Sequence, residues 1–406
     1  MILNDNLTVN NKVIQNRVVF QPMEGCDGTS DGNIGKLTER RYMRFAESGA
    51  GIIWFEATAV CKEGRANPRQ LYLTEENVDT YKILLDNIRK VSIENFGYAP
   101  LIILQATHSG RYSKPNGTPE PIIAYRNKVY EKGKENLLYH IITDEECDAL
   151  PQKFAHTALL AQKAGFDGVD IKCCHGYLLD EFLSAYNRSG KYGGSFENRT
   201  RLYYNCIDAV KNAVDEDMIV TTRLSAYDGF NYPYGFGSSE TKNIDLTETK
   251  KILSELKKRN IELVNITIGN PYLIPHINRP YINSPEDGEI GVQRVTKITK
   301  ELQKEFPKLK LILSALSYKG ERAVDFAEKC LENGCCSLVG FGRMTFAYPN
   351  FYRDYIENGK LDKNKLCIKC GNCSKMMRAG GVAGCPVRDK EVYLPLFKKY
   401  TENWYE

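Results

Sequence analysis

The sequence has few of the features that would assign a protein to a class at once. No apolar run approaches the length of a membrane span, and residues 1–19 carry scattered polar side chains in place of the apolar segment of a signal peptide. We therefore expect a cytoplasmic protein, neither secreted nor membrane-bound. Charge of one sign is also lacking, since 55 Lys and Arg residues face 51 Asp and Glu residues, a net charge of +4. So small an excess predicts no nucleic-acid-binding surface.

Disulfide bonds are disfavoured as well. The 13 cysteines would indicate disulfides in a small secreted domain, but in a chain of 406 residues without a signal they favour free thiols and metal ligands. The hydrophobic share of 42% and the charged share of 26% are typical of a globular protein. The length exceeds one average domain and suits a single large barrel with a small extension.

Eight short apolar runs recur along the chain, with helical patterns between them. They cover residues 18–20, 51–55, 101–104, 168–171, 218–221, 263–266, 311–313 and 337–339. The runs are rich in Val, Ile and Leu and do not alternate with polar residues, which is typical of parallel strands covered on both faces. Eight strand-helix units predict an α/β protein with a (β/α)8 barrel over residues 1–355 and a C-terminal segment over residues 356–406. Residues 7–14 predict a small hairpin that closes the bottom of the barrel.

Ionisable residues follow the ends of several predicted strands. In this fold the loops after the strands carry the catalytic groups. The fourth run is followed by Lys172, His175 and Tyr177, and the fifth by Arg223. Gly342-Arg343 follows the eighth run, where barrels of this kind bind phosphate groups. The sequence therefore predicts one active site at the carboxyl ends of the strands.

A chain of motifs begins in the loop after the fourth run. His175-Gly176-Tyr177-Leu178 is followed by Phe182-Leu183, Asn187-Arg188 and Tyr192-Gly-Gly-Ser-Phe-Glu-Asn-Arg199. This series resembles the signature of the Old Yellow Enzyme family of FMN-dependent oxidoreductases. The resemblance covers about residues 1–390. It implies a (β/α)8 barrel that binds FMN.

The resemblance also implies a set of FMN contacts. They fall on Pro22, Met23, Ala57, Gln105, Arg223, Ser314, Gly342 and Arg343. Arg223 has the clearest physical reason, because a cation beside the N1/O2 edge of the flavin stabilises the charge of the reduced ring. The alternative is that each is an ordinary core or loop residue of an unrelated barrel. Taken singly, Met23 or Ala57 would favour that alternative.

Catalytic roles are implied in the same way. Tyr177 is expected to protonate the α-carbon of the substrate, and His175 to hydrogen-bond its carbonyl group. Lys172 departs from the His that many relatives carry there, which leaves the mode of carbonyl binding open. His276 is expected to be a second substrate or proton-relay residue, with a structural role as the alternative. For Tyr177 the alternative is a packed aromatic side chain.

A cysteine quartet lies near the end of the chain. Cys367, Cys370 and Cys373 have C-x2-C-x2-C spacing, and Cys385 is followed by proline. Three thiolates so spaced can reach different irons of one cubane, which a distant fourth completes. Zinc is the alternative, although it more often takes two separated pairs or includes His, and no His lies between the first and last of these cysteines. We expect a [4Fe–4S] cluster.

A similar quartet follows the barrel in the iron-sulfur-containing 2,4-dienoyl-CoA reductase branch of the family, and the chain resembles that branch. The long relatives continue into FAD- and NAD(P)H-binding domains with a G-x-G-x-x-G fingerprint, which this sequence lacks. We therefore expect electrons to enter through the cluster from a ferredoxin, flavodoxin or flavoprotein. Direct reduction by NAD(P)H, binding of FAD and a homo-oligomeric state are left open. Cys26 has no assigned role, because relatives place a cysteine where this chain has Glu24.

The expected function is an ene-reductase that reduces the C=C bond of an α,β-unsaturated carbonyl compound. The alternative is an amine dehydrogenase or demethylase of the same superfamily, in which electrons leave through the cluster. A non-enzymatic electron-transfer subunit is disfavoured by His175 and Tyr177 at a strand end. The sequence does not rank acyl-CoA, steroid or bile-acid, and aryl enoate substrates.

Overall fold

The fold is a closed barrel of parallel strands, seen in a computed structural model that describes residues 1–241 and 243–404. The strands are β1 (Leu7–Val9), β2 (Lys12–Ile14), β3 (Val18–Phe20), β4 (Ile52–Ala59), β5 (Leu101–Thr107), β6 (Ile122–Ile123), β7 (His140–Ile141), β8 (Gly168–Ile171), β9 (Ile219–Ser225), β10 (Leu263–Thr267), β11 (Lys310–Leu313) and β12 (Leu338–Phe341). Eight of them close in the order β10-β11-β12-β3-β4-β5-β8-β9. Neighbouring strands of the barrel are parallel. Each predicted apolar run is one of these eight strands, so the (β/α)8 prediction is confirmed.

The hairpin of β1 and β2 closes the bottom of the barrel, as predicted. Asn10 and Asn11 have φ angles of 50° and 63°, and these left-handed conformations are ones that asparagine tolerates in a tight turn. Val9 and Ile14 pack in one cluster with Trp54 and other side chains from the amino ends of the strands. The opposite end of the barrel therefore holds the open mouth.

Helices surround the barrel. They are α1 (Lys36–Ala46), α2 (Val78–Phe96), α3 (Lys128–Glu131), α4 (Asp144–Ala164), α5 (Leu178–Leu183), α6 (Phe196–Ala213), α7 (Thr247–Lys258), α8 (Pro275–Asn278), α9 (Gly288–Glu305), α10 (Ala323–Glu332), α11 (Arg343–Ala347), α12 (Phe351–Asn358), α13 (Asn372–Arg378) and α14 (Lys390–Thr401). Between strands they bury an apolar face on the sheet, as the 3.6-residue period requires. No described helix combines the length and the apolar character that crossing a membrane requires.

The C-terminal segment lies beside α1 and the loop after β3. Met376, Val382 and Tyr393 form a small core of their own. Asp389 pairs with Arg40 and Arg44 of α1, at 2.6 Å in each case. These contacts fix the segment against the barrel mouth. The proposed boundary between residues 355 and 356 falls inside α12, and residues 405 and 406 of the proposed segment lie outside the described residues.

Candidate active site

A cavity opens at the carboxyl ends of the barrel strands, next to the C-terminal segment. Its empty volume is about 1070 Å³, including the part open to solvent. The predicted site residues that line it are Pro22, Met23, Lys172, His175, Tyr177, Arg223, Ser314, Gly342, Arg343 and Cys373. The carboxyl ends of five strands thus meet at one place, because parallel strands of a barrel end on the same side.

Two buried cations face this cavity. Among the described residues, neither the ammonium group of Lys172 nor the guanidinium group of Arg223 has a hydrogen bond or an ion pair. Burial lowers the pKa of both, that of Lys172 to about 8. An uncompensated buried charge is costly, so a group with a negative or electron-rich edge is expected against them. The pyrimidine edge of FMN fits this requirement.

A group of arginines lines the part of the cavity next to Arg343. Arg279 and Arg378 line it too. Burial lowers the pKa of Arg279 to about 10, and the charges of Arg343 and Arg378 contribute. In the described part of the chain no carboxylate pairs with Arg279 or Arg343, which bond instead to Ser374 and to carbonyl groups such as that of Pro280. A phosphate dianion fits the two arginines Arg279 and Arg343, as an FMN phosphate would.

Tyr177 is buried in the cavity wall at the amino end of α5. Its hydroxyl is 2.7 Å from the hydroxyl of Tyr272, and the ammonium nitrogen of Lys172 lies 3.5 Å from the centre of its ring. Burial, reinforced by Tyr272 and Glu24, raises the pKa of the Tyr177 phenol well above its usual range. The phenol therefore keeps its proton at neutral pH. Such a group can protonate a strongly basic carbon centre.

His175 is held as a neutral imidazole. Burial lowers its pKa well below the usual range, and the charges of Arg223 and Lys172 lower it further. The amide nitrogen of Asn278 lies 3.0 Å from Nε2 of His175 and donates to the hydroxyl of Thr267 as well. Nε2 also lies 3.2 Å from the hydroxyl of Thr267, and the neutral ring carries one N–H group. His175 can then donate one hydrogen bond.

Asn270 orders this side of the cavity. Its Oδ1 accepts the backbone N–H of Tyr272 at 2.9 Å and that of Leu273 at 3.1 Å. Its Nδ2 donates to the hydroxyl of Tyr112 at 2.9 Å and to the carbonyl of His175 at 3.2 Å. One amide thus fixes Tyr272 beside Tyr177. Neither Tyr272 nor Asn270 was given a role from the sequence; their position after the sixth strand was the available signal.

Two of the predicted FMN contacts do not line the cavity. Ala57 is buried in β4 opposite Gln105 of β5. The amide of Gln105 donates to Asp170 at 2.6 Å, and Asp170 also accepts from Trp54. The side chain of Gln105 is therefore committed to the barrel interior. Both contacts stay predictions.

Gln21 lines the cavity in a position that the sequence analysis did not assign. Its Oε1 accepts from Asn265 at 2.9 Å, while its buried Nε2 has no partner in the described structure. Gly340 makes room for this side chain, because a Cβ there would lie 1.8 Å from Nε2 of Gln21. The unpaired N–H group is available to a carbonyl oxygen of a bound ring.

His276 lies on α8 but does not line the cavity, to which the same short helix contributes Asn278. Glu24 does line it, with its Oε1 2.9 Å from the amide of Asn67 and 3.7 Å from Sγ of Cys26. Burial raises the pKa of Glu24, and Lys172 opposes this rise. Cys26 lies behind Glu24, and burial raises the pKa of its thiol well above the usual range. Cys26 is therefore a protonated, inert thiol.

The four cysteines of the quartet do not converge on one point in the described structure. Across residues 1–241 and 243–404, no three His, Cys, Asp or Glu side chains converge closely enough to hold a metal ion. Cys370 is exposed and Cys373 lines the cavity. Burial raises the pKa of the Cys367 thiol, and it raises the pKa of Cys385 to about 11. Electrostatic interactions with other cysteines of the quartet raise the pKa of both thiols further, so the four lie in one neighbourhood. The prediction of an assembled cluster site is therefore not confirmed.

Comparisons with known proteins agree with this barrel. The model of the NADH:flavin oxidoreductase / NADH oxidase family matches residues 3–362. An NADPH dehydrogenase of Clostridium acetobutylicum is 28% identical over 348 residues, which are 85% of this chain and 91% of that protein. An NADH oxidase of Thermoanaerobacter brockii is 28% identical over 89% of this chain, but the chain spans only 52% of that relative.

Solved structures show the same fold. A 2-naphthoyl-CoA reductase in complex with 2-naphthoyl-CoA is similar with a TM-score of 0.78 and 19% identity, over 98% of this chain and 58% of its own. Old Yellow Enzyme from a Pichia species has a TM-score of 0.66 and 24% identity, over 89% of this chain and 88% of its own. The coverage of 98% includes most of the C-terminal segment.

Proposed function

Because the chain belongs to the NADH:flavin oxidoreductase / NADH oxidase family, we propose that this flavin-dependent oxidoreductase reduces the C=C bond of an α,β-unsaturated carbonyl compound. The observation that carries the proposal is the buried phenol of Tyr177, which keeps its proton beside Lys172 and the neutral His175. A proton donor next to hydrogen-bond donors suits a reaction in which a carbonyl compound gains a proton at carbon.

Each side chain of the site has a separate role in the proposed reaction. When bound, FMN supplies a hydride to the β-carbon of the substrate. Tyr177 gives its proton to the α-carbon, and the N–H group of the neutral His175 ring donates to the carbonyl oxygen, where negative charge develops. Lys172 adds a point charge at the same side of the cavity. Burial of these groups excludes water from the proton transfer.

The proposed cofactor contacts keep the roles that the family resemblance implies. Arg223 is placed against the N1/O2 edge of FMN, and Arg343 with Gly342 and Ser314 at its phosphate. The lack of an ion pair at Arg223 within the described residues supports the first. The convergence of Arg279 and Arg343 supports the second. The family uses NAD(P)H as reductant, and direct reduction by it at the barrel mouth remains part of the proposal.

Oxidation of an amine is the second candidate. The observation that favours it is Glu24, whose carboxyl group faces the cavity and would attract a cationic substrate. Two cations, Lys172 and Arg223, line the same cavity and oppose this binding. The balance of charge therefore favours the carbonyl substrate.

The direction of electron flow tests the proposal. We expect anaerobic protein containing FMN to oxidise reduced viologen when an unsaturated ketone, aldehyde or thioester is added, because the cavity holds a proton donor for the product. Amines with an electron-accepting dye should give no turnover. Amine-dependent dye reduction without enone reduction would establish the second candidate instead, and a protein that binds no flavin would contradict both.

An iron-sulfur cluster on the quartet, and with it the 2,4-dienoyl-CoA reductase-like branch, is also a proposal. The C-x2-C-x2-C spacing and the position of Cys373 on the cavity support it, because electrons could then pass to a flavin bound there. Residues 356–406 carry ten Lys and Arg against six Asp and Glu, which equals the whole +4 excess of the chain. That excess supports an acidic electron carrier such as a ferredoxin or flavodoxin.

Removing one thiol tests the cluster. We expect anaerobically purified protein to contain about four iron and four sulfide per chain, and Cys385→Ser to lose most of both while keeping FMN. Metal and sulfide analysis with an absorption spectrum gives the result. Cys335→Ser is the matched control, since Cys335 is a buried thiol outside the quartet. Zinc without iron in the wild-type protein would replace the cluster proposal by the zinc alternative.

A further inference from the structure

A second cavity adjoins the candidate active site and has no role in the mechanism above. Its empty volume is about 1320 Å³, including the part open to solvent. The loops after β5 and around α3 form most of its wall, and Tyr272 and Leu273 complete it. Tyr272 lines both cavities. The ring of Tyr272 therefore separates two adjacent cavities, each of which is open to solvent.

The walls of this second cavity are aromatic. Tyr112 stacks on Tyr272 with their ring centres 3.8 Å apart and their planes at 22°. Tyr130 and Tyr139 also line the cavity, together with Leu137. Asn270 fixes Tyr112 and Tyr272 through the hydrogen bonds described above, so this part of the wall is preorganised. Rigid aromatic walls suit the apolar body of a ligand.

The charged lining of the cavity is entirely positive. No Asp or Glu is among the described residues that line it. Arg111 is neutralised by ion pairs with Glu181 and Glu131. Lys114 and Lys134, by contrast, are exposed, and the described chain provides no ion pair for either. Partial burial and the charges of Lys114 and Arg111 lower the pKa of Lys134. Two like charges without an acid between them favour an anionic ligand.

We propose that the second cavity binds the anionic tail, a carboxylate or a phosphate, of the substrate whose C=C bond is reduced beside Tyr177. Lys114 and Lys134 contact the anion, and the tyrosine walls hold the apolar part between the anion and the reacting carbons. This inference rests on the proposed function and deepens it by naming the substrate class. A substrate that spans both cavities passes over the ring of Tyr272, the wall that they share.

Three related compounds test this site: an enone with an apolar tail that ends in a carboxylate, its methyl ester, and its coenzyme A thioester. We expect the double variant Lys114→Gln/Lys134→Gln to raise KM for the anionic substrate by about 10-fold or more, since it removes two charge-assisted contacts. The kcat and the KM for the methyl ester should not change. Lys132→Gln is the matched control, because Lys132 is exposed on the same loop but does not line the cavity.

The outcomes separate the sources of the anion. An effect on the free acid identifies a carboxylate, and an effect on the thioester alone identifies the phosphates of coenzyme A. Equal KM changes for acid and ester, or no change for either anion, would overturn the inference. Calorimetric binding of the free acid to wild-type and double-variant protein gives a second readout. Weaker binding to the variant without reduction of any compound by the wild-type protein would support the subsite and reject the proposed function.

Discussion

Replacing Tyr177 by phenylalanine lowers the turnover of an unsaturated carbonyl substrate by about 10²- to 10⁴-fold, the usual contribution of a positioned general acid. The substitution removes only the hydroxyl group. The ring keeps its place under the ammonium group of Lys172 and its packing at the start of α5. We therefore expect the fold, the bound FMN and the rate of flavin reduction to be unchanged, and the loss to fall on the step that forms product.

Rapid mixing measures the two half-reactions separately. The reductive half-reaction is followed as flavin bleaching with dithionite or NADH, and the oxidative half-reaction as its recovery on adding the substrate. Tyr272→Phe is the matched control, because it removes the hydrogen-bond partner at 2.7 Å but leaves the Tyr177 proton in place. The turnover of that variant should be about 2- to 10-fold lower, which corresponds to the free energy of one hydrogen bond. Full turnover in Tyr177→Phe would contradict the assignment of the proton donor.

Replacing Arg223 by methionine slows flavin reduction by about 10²- to 10³-fold, as expected when a preorganised charge at the site of developing negative charge is removed. The guanidinium group is buried and has no ion pair within residues 1–241 and 243–404, so its charge is available to a flavin edge. Methionine keeps the length of the aliphatic stem without the charge. The midpoint potential of the bound flavin should fall in the same variant, since the reduced ring loses its counter-charge.

In the protein without flavin, the same substitution should stabilise the fold. Removing an unpaired buried charge relieves a desolvation cost, so the free energy of unfolding of the apo-protein should rise in Arg223→Met. Thermal unfolding with and without added FMN checks this. Arg223→Lys is the conservative variant, and it should recover part of the potential because the charge returns without the planar donor. An unchanged potential in Arg223→Met would place the flavin edge elsewhere.

The architecture could be predicted because its signal is local. Each barrel strand is buried on both faces, so each appears in the sequence as an uninterrupted apolar run. The position of the site followed from the same reasoning, because the ends of parallel strands must meet on one side of a closed barrel. Lys172, His175, Tyr177 and Arg223 therefore face one cavity as expected.

The direction of individual side chains could not be predicted. Gln105 was expected after the third strand, yet it lies within β5 and its amide donates to Asp170 inside the barrel, and Gln21 lines the cavity instead. His276 was singled out by its residue type, whereas Asn278, two residues further along the chain, contacts His175. Hydrogen bonds between distant loops determine where these side chains point, and the spacing of residues in the sequence does not predict such bonds.

The sequence by itself determined that this chain forms a parallel barrel with its ionisable groups at one mouth, because burial and strand order are written in the pattern of apolar residues. Only the tertiary structure decided that Tyr272 stands between two cavities, with Tyr177 on one side and Lys114 and Lys134 on the other. These residues come from three separate loops. Their proximity depends on how the loops pack over the mouth, which no single segment of the sequence specifies.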